Sequence, residues 1–222
     1  MDMGEHTRTF QDSGFTYNYL LDFLEYYPTY DYVMNIGSGT TIDKLIVQYK
    51  ETDWAFVKRL ASHFNSFVIP DCQSVKTRYY FGMPSVNSTT EAHPVTYRMK
   101  KNIGEYLHKS AFSVPISEAD TIAYVIEDRE IRELGDMVIF KGRELYIYKI
   151  ESRLNGQELK NYYELRTKEG FQFETAWNER LVGASLEGTI TDVKNDIVQI
   201  HAAVDPDAGM AGVRWFPYST VY

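Results

Sequence analysis

Residues 46–63, IVQYKETDWAFVKRLASH, decide how the chain is read, because a strand pattern gives way to a helix pattern inside eighteen residues. From Ile42 to Lys50 apolar and polar residues alternate, with Leu45, Val47 and Tyr49 on one side, as a half-buried strand requires. Thr52 can then cap a helix over Asp53 to Phe64, and Asp53 places a negative charge at the positive end of the helix dipole. Trp54, Val57, Leu60, Ala61 and Phe64 fall on one face, which predicts a core with Trp54, Leu60 and Phe64 inside and Lys58 and Arg59 toward solvent. Strand and helix are both amphipathic and adjacent, so they must share that core.

Working outward, Tyr17, Leu20, Leu21, Leu24 and Tyr27 recur at helical spacing, with Thr16 as N-cap and Pro28 as stop. Gly37-Ser-Gly39 marks a turn, and Ser66 to Pro70 and Thr77 to Phe81 have the composition of short strands ended by Gly82-Met-Pro84. These elements make an α+β unit over residues 1–84. Ser85 to His93 is Ser/Thr/Asn-rich without periodicity and predicts a linker, with a boundary near 85–95. Beyond it Thr121 to Glu127, Met137 to Phe140, Glu144 to Ser152 and Tyr162 to Arg166 read as strands. Turns at Lys141-Gly142, Asn155-Gly156 and Glu169-Gly170 join them into a small antiparallel barrel or sandwich over 95–183. Residues 184–222 predict a hairpin, Gly188 to Lys194 and Ile197 to His201 around Asn195-Asp196, and a third strand near Trp215, three of the five strands that closure would need. Edges left open in this way need cover.

The composition agrees with a β-rich globular chain: 222 residues with 15% aromatics, 18 of them Tyr. With 23 basic against 31 acidic residues the net charge is −8, which opposes a nucleic-acid-binding role, as do the sparse cations Arg180, Lys194 and Arg214 near the end. A single cysteine, Cys72, excludes an internal disulfide and a thiolate metal cluster. The opening residues lack a signal-peptide pattern and no run approaches the ~18 apolar residues of a membrane span. The expectation is therefore cytosolic synthesis, without stable membrane insertion.

Catalytic and ligand-binding signals are weak throughout. Gly37-Ser-Gly-Thr-Thr41 lacks the lysine of a phosphate loop and precedes a strand. Asp205-Pro-Asp207-Ala-Gly209 opens like a calcium loop, but Phe216 stands where the bidentate Glu belongs. His6, His63, His93, His108 and His201 form no closely spaced pair, and nothing around Cys72 marks a nucleophile. No catalytic, cofactor or metal residue is assigned, and the chain is not expected to be an enzyme.

Two segments carry a family resemblance. The stretch 46–63 resembles the QY-x-E-[ST]-D-W-x-F-x-x-R-L signature of the valine-glycine repeat protein G (VgrG) and phage late control protein D family. Leu186 to Ile200, followed by Arg214-Trp-Phe-Pro-Tyr-Ser219, resembles the entry into that family's oligonucleotide/oligosaccharide-binding (OB) barrel. Thr7 to Asp12 is similar to the stretch before its first helix, and Gly135-Asp-Met-Val138 with the hairpin that follows is similar to its hub barrel.

The resemblance implies an α+β, β-rich hub unit at 1–84, an antiparallel β-barrel-like hub unit at 95–183 and the start of an OB spike domain at 184–222. It also implies a structural role in the trimeric hub and spike of a contractile injection apparatus, whether phage baseplate, tailocin or type VI-like secretion. The partners would be copies of the chain, the tail tube and other baseplate proteins. The alternative is a cell-wall-acting or carbohydrate-binding module of a tail-associated lysin.

Overall fold

The computed structural model describes residues 4–24, 30–71, 75, 77–84, 89–205 and 214–218. Tyr27, Pro28, Cys72, Asp207 and Gly209 lie outside the described residues. The elements run β1 (Glu5–Phe10), α1 (Tyr17–Leu24), β2 (Tyr30–Met34), β3 (Ile46–Thr52), α2 (Asp53–Ser62), β4 (Val68–Asp71), β5 (Thr77–Phe81), β6 (Thr89–Glu91) and β7 (Tyr97–Lys101). They continue α3 (Ile103–Ala111), β8 (Ile122–Asp128), β9 (Met137–Phe140), β10 (Arg143–Asn155), β11 (Glu158–Arg166), β12 (Gly188–Lys194), β13 (Ile197–Ala202) and β14 (Trp215–Pro217). Strand outweighs helix, 44% to 19%, so the class is α+β and β-rich. The chain forms two compact units, one of residues 1–60 with 177–222 and one of residues 61–176. This partition differs from the expected one at 1–84, 95–183 and 184–222, because the end of the chain returns to its beginning.

In the first unit β1 pairs antiparallel with β3, Phe10 opposite Ile46 and Glu5 opposite Thr52. Thr16 Oγ1 accepts from the Tyr19 amide at 3.2 Å, so α1 starts where the cap was expected, and it buries Tyr17, Leu20, Leu21 and Leu24. Phe10 stacks on Phe56 at 5.7 Å between ring centroids and meets Phe23 edge-on at 5.5 Å. Leu20, Leu21, Ile42, Ile46, Val57 and Leu60 fill the space around these rings. Two expectations are corrected here. The buried row of β3 is Ile46 and Gln48, while Leu45, Val47 and Tyr49 are half-buried, because a glutamine takes the inward position that alternation reserves for an apolar residue. On α2 the deeply buried apolar residues are Phe56, Val57, Leu60 and Ala61, while Trp54, and Phe64 just past the helix, are only half-buried.

Farther along the same unit, β12, β13 and β14 form a three-stranded antiparallel sheet in that order. Lys194 pairs with Ile197 across a turn in which Asn195 has φ +52°, a conformation Asn tolerates better than most residues. Gly188 is required at the other end, since a Cβ there would lie 2.6 Å from Ile200 Cγ2.

The second unit is built on a six-stranded sheet of order β6-β9-β10-β11-β8-β7, antiparallel except for the parallel pair β6–β9. The sheet curls into a half-barrel. Its concave face buries Ala92, Ile126, Val138, Phe140, Leu145, Ile147, Tyr163 and Leu165. Curling brings Tyr97 of β7 to 5.4 Å from Phe140 of β9 although three strands separate them in the sheet. The β9–β10 hairpin turns through Lys141 and Gly142, both with positive φ, and β10–β11 turns beyond Asn155 with Gly156 at φ +65°. β4 and β5 pair antiparallel, Val68 opposite Phe81.

Several expectations fail in this unit for physical reasons. The polar stretch Ser85 to His93, read as a linker, contains β6, whose Thr89 and Thr90 are β-branched and pair with Met137 and Val138. The sequence pattern does not predict β7 or α3, because the basic residues Arg98, Lys100 and Lys101 hide a strand and the apolar stripe of α3 faces solvent instead of a core. Glu169-Gly170 is not a hairpin turn but part of a 3₁₀ turn, Glu169–Phe171, packed so closely that a Cβ on Gly170 would lie 2.6 Å from the Asp120 carbonyl.

Candidate functional site

The signature stretch forms a buried polar lattice in the first unit. Thr52 Oγ1 accepts from the Ala55 amide at 3.2 Å and caps α2. Asp53, the first helical residue, accepts from Gln48 Nε2 at 2.9 Å and from Arg8 Nη2, with His6 Nε2 at 4.0 Å. Arg8 Nε donates to Gln48 Oε1 at 2.6 Å, so the buried glutamine of β3 is held on both sides of its amide. Glu51 receives Arg59 Nη2 at 2.8 Å and Nε at 3.1 Å, and the same Nη2 donates to the Val47 carbonyl at 2.7 Å. Arg59, expected toward solvent, is therefore buried, with its guanidinium 5.0 Å from the Phe56 ring centroid. Asn178 Nδ2 donates to the Tyr49 carbonyl at 2.8 Å, and Arg180 Nη1 pairs with Glu5 at 2.6 Å. Four of the signature's polar letters, Gln48, Glu51, Asp53 and Arg59, are thus engaged with one another or with the backbone. Such a lattice fixes the geometry of β1, β3 and α2 rather than presenting a reactive group.

The same unit anchors its later residues to its earlier ones. The Asp205 carboxylate, weighed as a calcium ligand, is buried and accepts from the Thr9 amide at 2.6 Å and from Thr9 Oγ1. Arg214 Nε donates to the Gln11 carbonyl at 3.0 Å and Nη1 to the Asp43 carbonyl at 2.7 Å. Gly37 and Gly39, with φ +72° and +71°, belong to a turn in which the Thr40 amide bonds to the Gly37 carbonyl at 3.0 Å.

In the second unit Arg132 is the most enclosed cation, bonded to Asp128 at 2.8 Å, Glu130 at 2.9 Å and Thr90 Oγ1. Burial raises the Asp128 carboxyl, but the hydrogen bond and charge of Arg132 together with the Glu130 and Arg129 backbone hydrogen bonds outweigh it and hold the group below its ordinary value. Tyr163 donates its hydroxyl proton to the Glu130 carbonyl at 2.6 Å, and burial pushes that phenol up. Asp128, Glu130 and Arg132 border a polar cavity of about 440 Å³ that also touches His93, and their mutual pairing leaves it a braced loop rather than a set of reactive side chains. A second groove, about 280 Å³, is apolar and lined by Phe67, Ile69, Leu134, Phe171 and Phe173.

His93 lies 3.6 Å from Glu91 and His108 2.9 Å from Glu174, while His63, just past α2, and His201 of β13 are half-buried. No group of three or more His, Cys, Asp or Glu that could hold a metal occurs among the described residues. No helix among them is long and apolar enough to cross a membrane.

Exposed apolar side chains are the other conspicuous feature, and no motif in the sequence announces them. All of β12 is exposed, including Ile190 and Val193, and among the described residues it is an edge strand of its sheet. Trp177 and Val182 are exposed in the same unit. In the second unit Met99 of the edge strand β7 and Ile103, Leu107 and Phe112 at α3 face outward. Open edges and apolar side chains of this kind mark surfaces for association.

No family model and no curated protein matches the sequence. Among solved structures the chain is similar to an E. coli protein that is a component of the type VI secretion system and is described as structurally similar to the bacteriophage T4 tail proteins gp27 and gp5. The two share 11% identity at a TM-score of 0.58, over 88% of this chain and 62% of the other. At that identity the likeness is one of fold: the chain shares the backbone architecture of that protein and spans under two thirds of its length.

Proposed function

We propose that this protein is a structural subunit at the hub of a contractile injection apparatus, of the phage-tail, tailocin or type VI kind, linking the tail tube to the puncturing spike. The observation that carries the reading is the fold shared over 88% of the chain with a type VI secretion component. The QY-x-E-[ST]-D-W-x-F-x-x-R-L stretch supports it from the sequence side, because its polar letters build the lattice around α2. Exposed β12, an edge strand among the described residues, and the outward apolar residues of β7 and α3 suit a subunit that works surrounded by others. In this reading the protein performs no catalysis, its partners are further copies of itself in a trimer together with tube and baseplate proteins, and it ends in the assembled apparatus.

The test is affinity purification of the tagged chain from the organism that carries its gene, followed by sedimentation and mass spectrometry. The reading expects the chain in fast-sedimenting particles together with tube and sheath proteins. Recovery of the chain alone, with particles that lack it, would contradict the role. Retention on purified peptidoglycan with no particle association would favour the tail-lysin alternative.

A further inference from the structure

A surface helix ordinarily turns its apolar stripe toward the body of the protein and its charges toward water. Helix α3 does the reverse. Ile103 and Leu107, one turn apart, are 52% and 62% exposed, and Phe112 just past the helix is 55% exposed, while Lys109 is buried. The inward face is held by charge. Glu105 accepts from Lys109 Nζ at 2.7 Å and from Arg166 Nη1 of β11 at 2.9 and 3.1 Å. Arg166 in turn bonds Glu164 at 2.9 Å, and Lys100 of β7 stands 3.7 Å from the same carboxylate. The aromatic floor accepts these cations: the Arg166 guanidinium lies 3.9 Å from the Tyr148 ring centroid and Lys109 Nζ 5.3 Å from that of Phe173.

A nine-residue helix has little stability of its own, so its attachment decides whether it exists. Its flanks are fixed, by the β7–β8 pairing on one side and buried Val114 on the other, which confines any release to the residues between. From this geometry we infer that α3 is a charge-latched element: the Glu105–Arg166–Lys109 cluster, not apolar packing, holds it on the half-barrel and displays Ile103, Leu107 and Phe112 outward. The display is then a conformational device set by charge, since neutralising one member of the latch releases the helix and leaves the apolar core of the sheet untouched.

The test is amide hydrogen exchange on the full chain, comparing the parent with E105Q and L107Q, two substitutions that keep a good helix former. The latch predicts exchange about tenfold or more faster for the amides of 106–112 in E105Q, with β8, β10 and β11 unchanged, and L107Q within about twofold of the parent. Unchanged α3 exchange in E105Q, or acceleration in L107Q as large as in E105Q, would overturn it. Should E105Q fail to fold, K109M, which removes one buried cation of the latch and keeps a good helix former, decides the matter by the same measurement. Selective acceleration of α3 in K109M supports the latch, and equal rates overturn it.

Discussion

Gln48 carries the residue-scale lesson. An inward glutamine on a strand breaks the apolar alternation, so a pattern reading selects Val47 and Tyr49, and only the partners Arg8 and Asp53 explain why the polar group is inside. Arg59 misleads in the same way: a charge beside Lys58 reads as solvent-facing, yet Glu51 and the Val47 carbonyl satisfy it in the interior. Removing one partner of such a buried pair strands the other, so Glu51→Gln is expected to cost about 3 kcal/mol or more in a urea titration. A loss under about 1 kcal/mol would show the pair to be solvated. Phe56, fully buried against Phe10, should cost about 3–5 kcal/mol as Phe56→Ala, and Trp54→Ala less because it starts half-buried. Equal or greater destabilisation by Trp54→Ala, from denaturation midpoints, would reverse that assignment.

Elements were legible in the sequence where apolar period and capping agreed. Helix α1 shows its stripe and its Thr16 cap openly, and the strands β8 to β11 declare themselves through alternation and Gly-containing turns. α3 was not legible because its inward face is ionic, so a hydrophobic stripe in it points to the wrong side. That ionic attachment also sets a pH dependence. Burial raises the Glu105 carboxyl, but the hydrogen bond from Lys109 and the charge of Arg166 bring it below its ordinary value. Asp120 behaves alike, burial being outweighed by its bonds from Ser117 and Thr167. A carboxyl depressed in the folded state binds its proton first in the unfolded one. Its contribution is therefore complete above the ordinary carboxylate range and lost as pH falls through the folded value. Urea midpoints are expected to be flat from about pH 7 to about pH 5 and to fall below that, less steeply in E105Q. A parent and E105Q that fall in parallel would remove Glu105 from the acid response.

For the whole molecule, the return of residues 177–222 to the first unit is the feature that linear reading missed. The ties are specific and distant in sequence: Asp205 to Thr9, Arg214 to the Gln11 and Asp43 carbonyls, Asn178 to Tyr49 and Arg180 to Glu5. Composition shifts cannot reveal such pairings, because no local period encodes a partner nearly two hundred residues away. Thr9→Val removes the side-chain donor to Asp205 but keeps the amide, so it should speed exchange in β12–β14 while sparing the half-barrel. Unaltered exchange there would make the tie dispensable.

The role proposed for the molecule stands on that fold, and deletion of its gene addresses the role most directly. Electron microscopy of lysates from the deletion strain is predicted to show contractile particles absent or reduced to incomplete forms, restored when the parent chain is supplied. Normal numbers of complete, injection-competent particles without this chain would contradict the account.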